Sequence, residues 1–152
     1  MRIGLISDTH GLLRASALDA LEGCRHILHA GDIGTPAVLE GLRELAPVSA
    51  IRGNVDRAHW AEPYPHTLTL ELAAFTVHLV HDRNQLDVDL DTRSIDVVVS
   101  GHSHKPVIER TDRVLYVNPG SAGPRRFRLP IAVGLLELTA QGVSARIVEL
   151  GA

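Results

Sequence analysis

Residues 2–10 read RIGLISDTH, residues 26–32 read HILHAGD and residues 48–56 read VSAIRGNVD, and the likeness of these three stretches decides the fold. Each is a short, largely apolar run that stops abruptly on a polar or glycine-bearing step: Asp8-Thr9-His10, Gly31-Asp32 and Gly53-Asn54. Runs of this length with such boundaries predict buried strands. Between the first two, Leu13, Ala17, Leu18 and Leu21 recur at helical spacing and Gly23 supplies a stop. Between the second and third, Thr35 is placed as N-cap and Pro36 as the first helical residue, where a missing N–H costs nothing. Val38, Leu39, Leu42 and Leu45 share one face of that helix, which must end before Pro47. Strand, helix, strand, helix, strand predicts parallel strands with right-handed crossovers.

Outward from this half, the chain turns strand-rich. Thr67 to Leu72 and Phe75 to Val80 read as an antiparallel pair, followed by a polar loop through Asp87, Asp89 and Asp91. Ile95 to Ser100 is a continuous apolar strand closed by Gly101-His102. Val107 to Arg110 with Val114 to Val117, and Ile131 to Leu138 with Val143 to Leu150, read as two hairpins. The expected class is α/β, with two sheets packed face to face and helices outside. No repeat, linker or low-complexity tract interrupts residues 1–152, so one domain is expected.

Composition narrows the function. Hydrophobic residues make up 45% of the chain and charged residues 22%, which excludes a disordered or coiled-coil protein. A net charge of -3 supplies no basic field for nucleic acid, and 3% aromatics supply no base-stacking platform. The one cysteine, Cys24, has no internal disulfide partner and reads as a small packing residue in a reducing compartment. No secretory pattern opens the chain and no apolar run reaches the ~18 residues that span a bilayer, so a cytoplasmic protein is expected.

The chemistry sits where strands end. Ligands of open α/β sheets collect beyond the carboxyl ends of strands, and those ends carry Asp8, His10, Asp32, Asn54, His81, His102 and His104. All are oxygen or imidazole donors of the kind divalent transition metals take. Seven are too many for one catalytic ion, which takes about three from protein, and suit two ions sharing a carboxylate.

The ordered set Asp-x-His, Gly-Asp, Gly-Asn, an isolated His and Gly-His-x-His resembles the calcineurin-like metallophosphoesterase superfamily. Ser7-Asp8-Thr9-His10-Gly11 and Asn118-Pro119-Gly120-Ser121 narrow the likeness to the small bacterial and archaeal YfcE-like phosphodiesterases. The resemblance spans residues 1 to about 150. It implies a four-layer α/β/β/α sandwich of two mixed sheets flanked by helices, and two divalent ions, manganese first and iron, nickel, cobalt or zinc as alternatives. Carried over residue by residue, Asp8, His10 and His104 would hold one ion, and Asn54, His81 and His102 the other. Asp32 would bridge them.

Two carboxylates offset half the charge of two divalent ions, leaving about two positive charges to receive a phosphate ester. Hydroxide formed between the ions would attack phosphorus, with Asn54, Asp32 and His102 as the protein's catalytic groups. Two positions depart from the family pattern. Val55 stands where many larger members place a proton-donating histidine, which favours diesters and good leaving groups. Asp82 follows His81 where glycine is expected.

The remaining candidates are plainer. Arg125 and Arg126 either grip a phosphate or form a solvated pair. His29, three residues before Asp32, is a candidate for supporting the site from behind. His26, His59, His66 and His78 have no ligand partner at useful spacing, and the aspartates at 87, 89 and 91 lack the glycine and distal glutamate of a calcium loop. The expected activity is hydrolysis of small or nucleotide-like phosphodiesters, with no membrane partner. A phosphomonoesterase with the same site and a catalytically weak metal-binding scaffold stand as alternatives, and the hairpins leave room for a homo-oligomer.

Overall fold

A computed structural model describes residues 1–151. Its strands are β1 (Arg2–Ile6), β2 (His26–His29), β3 (Val48–Ala50), β4 (Thr67–Leu72), β5 (Phe75–Val80), β6 (Val97–Val99), β7 (Val107–Thr111), β8 (Val114–Asn118), β9 (Ala132–Thr139) and β10 (Gly142–Glu149). Its α-helices are α1 (Ala15–Leu21) and α2 (Pro36–Arg43). They form two five-stranded sheets, ordered β10-β9-β1-β2-β3 and β4-β5-β6-β8-β7. The parallel core expected from the first 56 residues is present, with Ile3 opposite His26 and Ile27 opposite Val48. Antiparallel β9 and β4 make each sheet mixed.

Alternation along β1 shows why the layers form. Ile3 and Leu5 point between the sheets, into a cluster with Leu28, Val77, Leu79, Val97 and Val117. Ile6 points the other way, to Ala17, Leu21, Val38, Leu39 and Leu42 of the helices. Gly4 on that same face lets α1 approach closely: a methyl group there would lie 2.7 Å from Leu21 Cδ2. Cys24 is buried in the helix-side cluster, as a packing residue should be. Thr35 is the N-cap of α2 and Pro36 opens it, but the Thr35 hydroxyl makes no capping bond, so the proline carries the start signal.

The two sheets match the expected sandwich, while the helical cover lies on the first sheet only. Over the second, Val80, Ile95, Val98 and Val114 are roofed by Leu86, Leu90 and Tyr116. Tyr116 belongs to β8, and the two leucines come from the irregular chain after a 3-10 turn (Arg83–Gln85). Asp87, Asp89 and Asp91 on the same stretch face solvent, while Leu86 and Leu90 beside them turn inward. Among the described residues, no helix is long and apolar enough to cross a membrane.

Candidate metal centre

Because β1, β2 and β3 run parallel, their carboxyl ends open on one edge, and β5 and β6 of the facing sheet end beside them. The loops there are zipped together by backbone. Asp8 N–H donates to Gly31 O (3.0 Å), His10 N–H to Asp32 O (3.0 Å) and Gly101 N–H to His81 O (2.9 Å). Asp8, His10, Asp32, His102 and His104 all have φ between 46° and 69°. Left-handed backbone is uncommon outside glycine and costs about 1 kcal/mol or more per residue. Here it turns the chain sharply at each strand end, aims Asp8, His10, Asp32 and His104 into the crevice and sets His102 at its rim.

Each carboxylate offers one oxygen inward. Asp8 is fully buried, and its Oδ2 accepts the Ser7 hydroxyl (2.6 Å) and the His102 N–H (3.1 Å). Its Oδ1 faces three imidazoles, with His104 Nε2 at 3.3 Å, His81 Nε2 at 3.8 Å and His10 Nε2 at 4.0 Å. Asp32 gives Oδ1 to the Val55 N–H (3.1 Å) and holds Oδ2 3.2 Å from His81 Nε2 and 3.7 Å from His10 Nε2. His81 Nδ1 donates to the Ala30 carbonyl (2.7 Å), which leaves Nε2 as the atom pointing inward. Asp8 Oδ1, His10 Nε2 and His81 Nε2 are buried with no hydrogen-bond partner.

Unpartnered buried polar atoms cost about 1–3 kcal/mol each, so three of them close together mark a candidate place for a cation. Two groups have ligand-competent spacing, Asp8 with His10 and His104, and Asp8 with Asp32 and His81. The donors are carboxylate and imidazole with no thiolate, which fits divalent transition metals. Asp8 is therefore shared by both groups, while Asp32 Oδ2 lies between His10 and His81.

The same field sets the ionisation of these groups. Burial pushes the Asp8 carboxyl above the usual range, against the pull of Ser7, His81 and His104. Burial pushes Asp32 the same way, but the His81 ring, the Val55 N–H and the His10 charge outweigh it and hold Asp32 below the usual range. Burial opposes the His81 imidazolium, and Asp32, the Ala30 carbonyl and Asp8 overcome that and raise it to about 9. His104 is lowered by burial, with the Arg126 charge adding to the effect.

The structure brings the other two expected ligands only to the rim. Asn54 Nδ2 and His102 Nδ1 lie 3.3 Å apart, both residues exposed. His102 Nε2 is turned toward Asp82 Oδ2 at 3.7 Å, and its ring stands edge-on to His81 at 5.3 Å. Asp82 thus has a definite place beside His102, and it also caps the turn after β5 through the Asn84 N–H. Arg125 and Arg126 are exposed on a loop tied to the site by Ser121, whose hydroxyl donates to Asp8 O (3.0 Å).

Sequence reasoning missed three organisers. Asp56 is 3% exposed, and its two oxygens accept the N–H groups of Ile33, Gly34 and Gly53, which lock the loops after β2 and β3. Asn118 donates to Gly101 O and accepts from Gly120 N–H. Ser7 orients Asp8. Of these, Ser7 and Asn118 stood in motifs whose organising role was not read, and no pattern marked Asp56.

His29 supports the site from behind without touching a candidate ligand. It is fully buried; its Nδ1 accepts the Gly31 N–H (3.1 Å) and its Nε2 lies 2.9 Å from Thr9 Oγ1. The Thr9 hydroxyl proton goes to Ile33 O (2.8 Å), so Nε2 carries the ring proton and donates to Thr9. A second ring proton would face the Gly31 N–H. Burial is the main cause that lowers this imidazole from 6.5 to about 4, and nearby His81 and His10 add to it. The unfolded chain therefore takes up a proton that the fold refuses. His29 contributes stability that is complete above pH 6.5 and is lost as the pH falls toward 4, worth about 3 kcal/mol in all. Urea midpoints should fall across that window in the wild type and fall less in His29→Gln; parallel slopes in the two proteins would contradict this.

Residues 1–141 match the Calcineurin-like phosphoesterase superfamily domain. The chain belongs to that superfamily. A probable metallophosphoesterase of Methanothermobacter thermautotrophicus is 37% identical to it, covering 100% of this chain and 94% of the relative. Phosphodiesterase YfcE of Escherichia coli is 29% identical, over 90% and 88% of the two chains. The solved structure of an archaeal phosphodiesterase superposes with a TM-score of 0.82 at 26% identity, over 99% of this chain and 100% of its own. The fold reaches further than these phosphoesterases. Zinc-bound Vps29 of Entamoeba histolytica superposes with a TM-score of 0.73 at 23% identity, over 98% and 99%, a likeness of fold alone.

Proposed function

We propose that this metallophosphoesterase hydrolyses phosphodiesters at a centre of two divalent cations. Asp8, His10 and His104 would hold one, and Asp32 and His81 the other, with Asp8 Oδ1 and Asp32 Oδ2 both between the two groups. The carrying observation is the convergence of buried, unpartnered Asp8 Oδ1, His10 Nε2 and His81 Nε2. The family resemblance puts manganese first, and the mixed carboxylate and imidazole donors equally accept iron, cobalt, nickel or zinc. Bound there, such cations supply Lewis acidity and lower the pKa of water enough to make hydroxide available near neutral pH.

The chain's own residues do the rest. Asp8 and Asp32 place two negative charges among the imidazoles, so a net positive charge is left to receive the phosphate. Asn54 and His102 stand together at the rim, where Asn54 Nδ2 would donate to the equatorial phosphate oxygens on which charge grows in the transition state, and His102, now turned toward Asp82, would join the second cation's ligands only after its ring rotates. Arg126, whose charge acts on His104, and its neighbour Arg125 would attract the anionic ester. Val55 beside Asn54 is 51% exposed and carries no proton, so leaving groups depart without protein assistance at that position.

The experiment is hydrolysis of bis(p-nitrophenyl) phosphate and p-nitrophenyl phosphate by metal-stripped protein reconstituted with each ion. The diester should be cleaved at least about tenfold better, with turnover abolished by chelation and restored by manganese. A strong monoester preference would favour the phosphomonoesterase instead. Turnover indifferent to chelation would remove the metal-dependent reading.

A further inference from the structure

Beside Asn54 and His81 opens a cavity of about 380 Å3 whose other polar walls carry Arg52, Arg57 and His66. Its single acidic lining residue, Asp56, accepts three backbone N–H groups and is paired with neither arginine. The ion pairs made by arginine among the described residues involve Arg2, Arg83 and Arg113, not Arg52 or Arg57. Arg52 Nε is buried with no acceptor. Arg57 Nε donates to the Asn54 carbonyl (3.0 Å), which fixes its guanidinium against the loop that carries Asn54.

Two guanidinium groups that line a cavity with no carboxylate paired to them are matched by an oxyanion entering that cavity. The planar donor fork of arginine matches a phosphate's oxygens two at a time. Two guanidinium groups and an imidazole lining one cavity, adjoining two residues of the candidate metal centre, make a cationic recess contiguous with the place where the scissile phosphate is read to sit. We infer that this recess is an anion subsite that takes a second, terminal phosphate of the substrate. The inference rests on the phosphodiesterase reading and sharpens it, because the favoured substrates become phosphodiesters that carry an additional phosphomonoester group.

The test compares the thymidine dinucleotide TpT with its 5′-phosphorylated form pTpT, using manganese-loaded wild type and the Arg57→Gln/His66→Gln double variant. Both substituted residues are exposed and outside the core, so the variant folds. Wild type should favour pTpT about tenfold in kcat/KM, and the variant should bring the ratio near one. Calorimetric titration of inorganic pyrophosphate into the two proteins reads the subsite without turnover, with affinity about tenfold weaker in the variant. Loss of all hydrolysis would defeat the diesterase reading while the pyrophosphate titration still decides the subsite. Equal pyrophosphate affinity in the two proteins, or a pTpT:TpT ratio that the double variant does not change, overturns the inference.

Discussion

Asp8→Asn should lose manganese-dependent hydrolysis by about a thousandfold or more, beyond the 10–100-fold that follows loss of a ligand's outer partner. Asp8 Oδ1 is the one oxygen common to both ligand groups, within 4.0 Å of three imidazoles. The amide keeps an acceptor for the Ser7 hydroxyl and the His102 N–H, and its NH2 group can donate to an imidazole nitrogen, so the fold survives. Burial raises the native Asp8 carboxyl, meaning that its ionised form is a burden on the metal-free fold at neutral pH. Metal-free Asp8→Asn should therefore melt no lower than metal-free wild type, while manganese raises the melting temperature of the wild type alone. A variant that keeps both turnover and the manganese-induced rise would show that Asp8 is not a ligand.

Gly101→Ala should damage the site through shape alone. The added methyl would collide with Ser7 Oγ and lie 2.5 Å from Asp8 Oδ2. Neither can retreat, since Ser7 and Asp8 are fully buried at the end of a central strand. Overpacking of this kind costs about 1–3 kcal/mol, which lowers the melting temperature of a domain this size by about 3–10 °C. Displacing Asp8 also swings Oδ1 off the three imidazoles, so metal affinity should fall with stability. Calorimetric melting with and without manganese reads both effects. An unchanged melting temperature together with unchanged metal affinity would refute the tight fit of these loops.

The same residues show how far sequence carried the account. Asp8, His10, Asp32, His81 and His104 were legible because each follows an apolar run, and parallel strands must bring such ends to one edge. The left-handed φ values of Asp8, His10, Asp32 and His104 were not legible, because Asp and His visit that conformation more often than most residues but only tertiary hydrogen bonds, such as His10 N–H to Asp32 O, impose it. The cover of the second sheet was obscured because Leu86 and Leu90 alternate with aspartates, so a stretch that packs inward on one side reads as a solvated loop. Arg52, Arg57 and His66 are separated by irregular chain and become neighbours only when β3 and β4 flank one cavity.

The decisive measurement is the number of manganese ions bound per chain at saturation, counted by elemental analysis after dialysis of the wild type. Two ions per wild-type chain is the expected count. One ion or none would contradict a centre in which Asp8 serves two neighbouring cations.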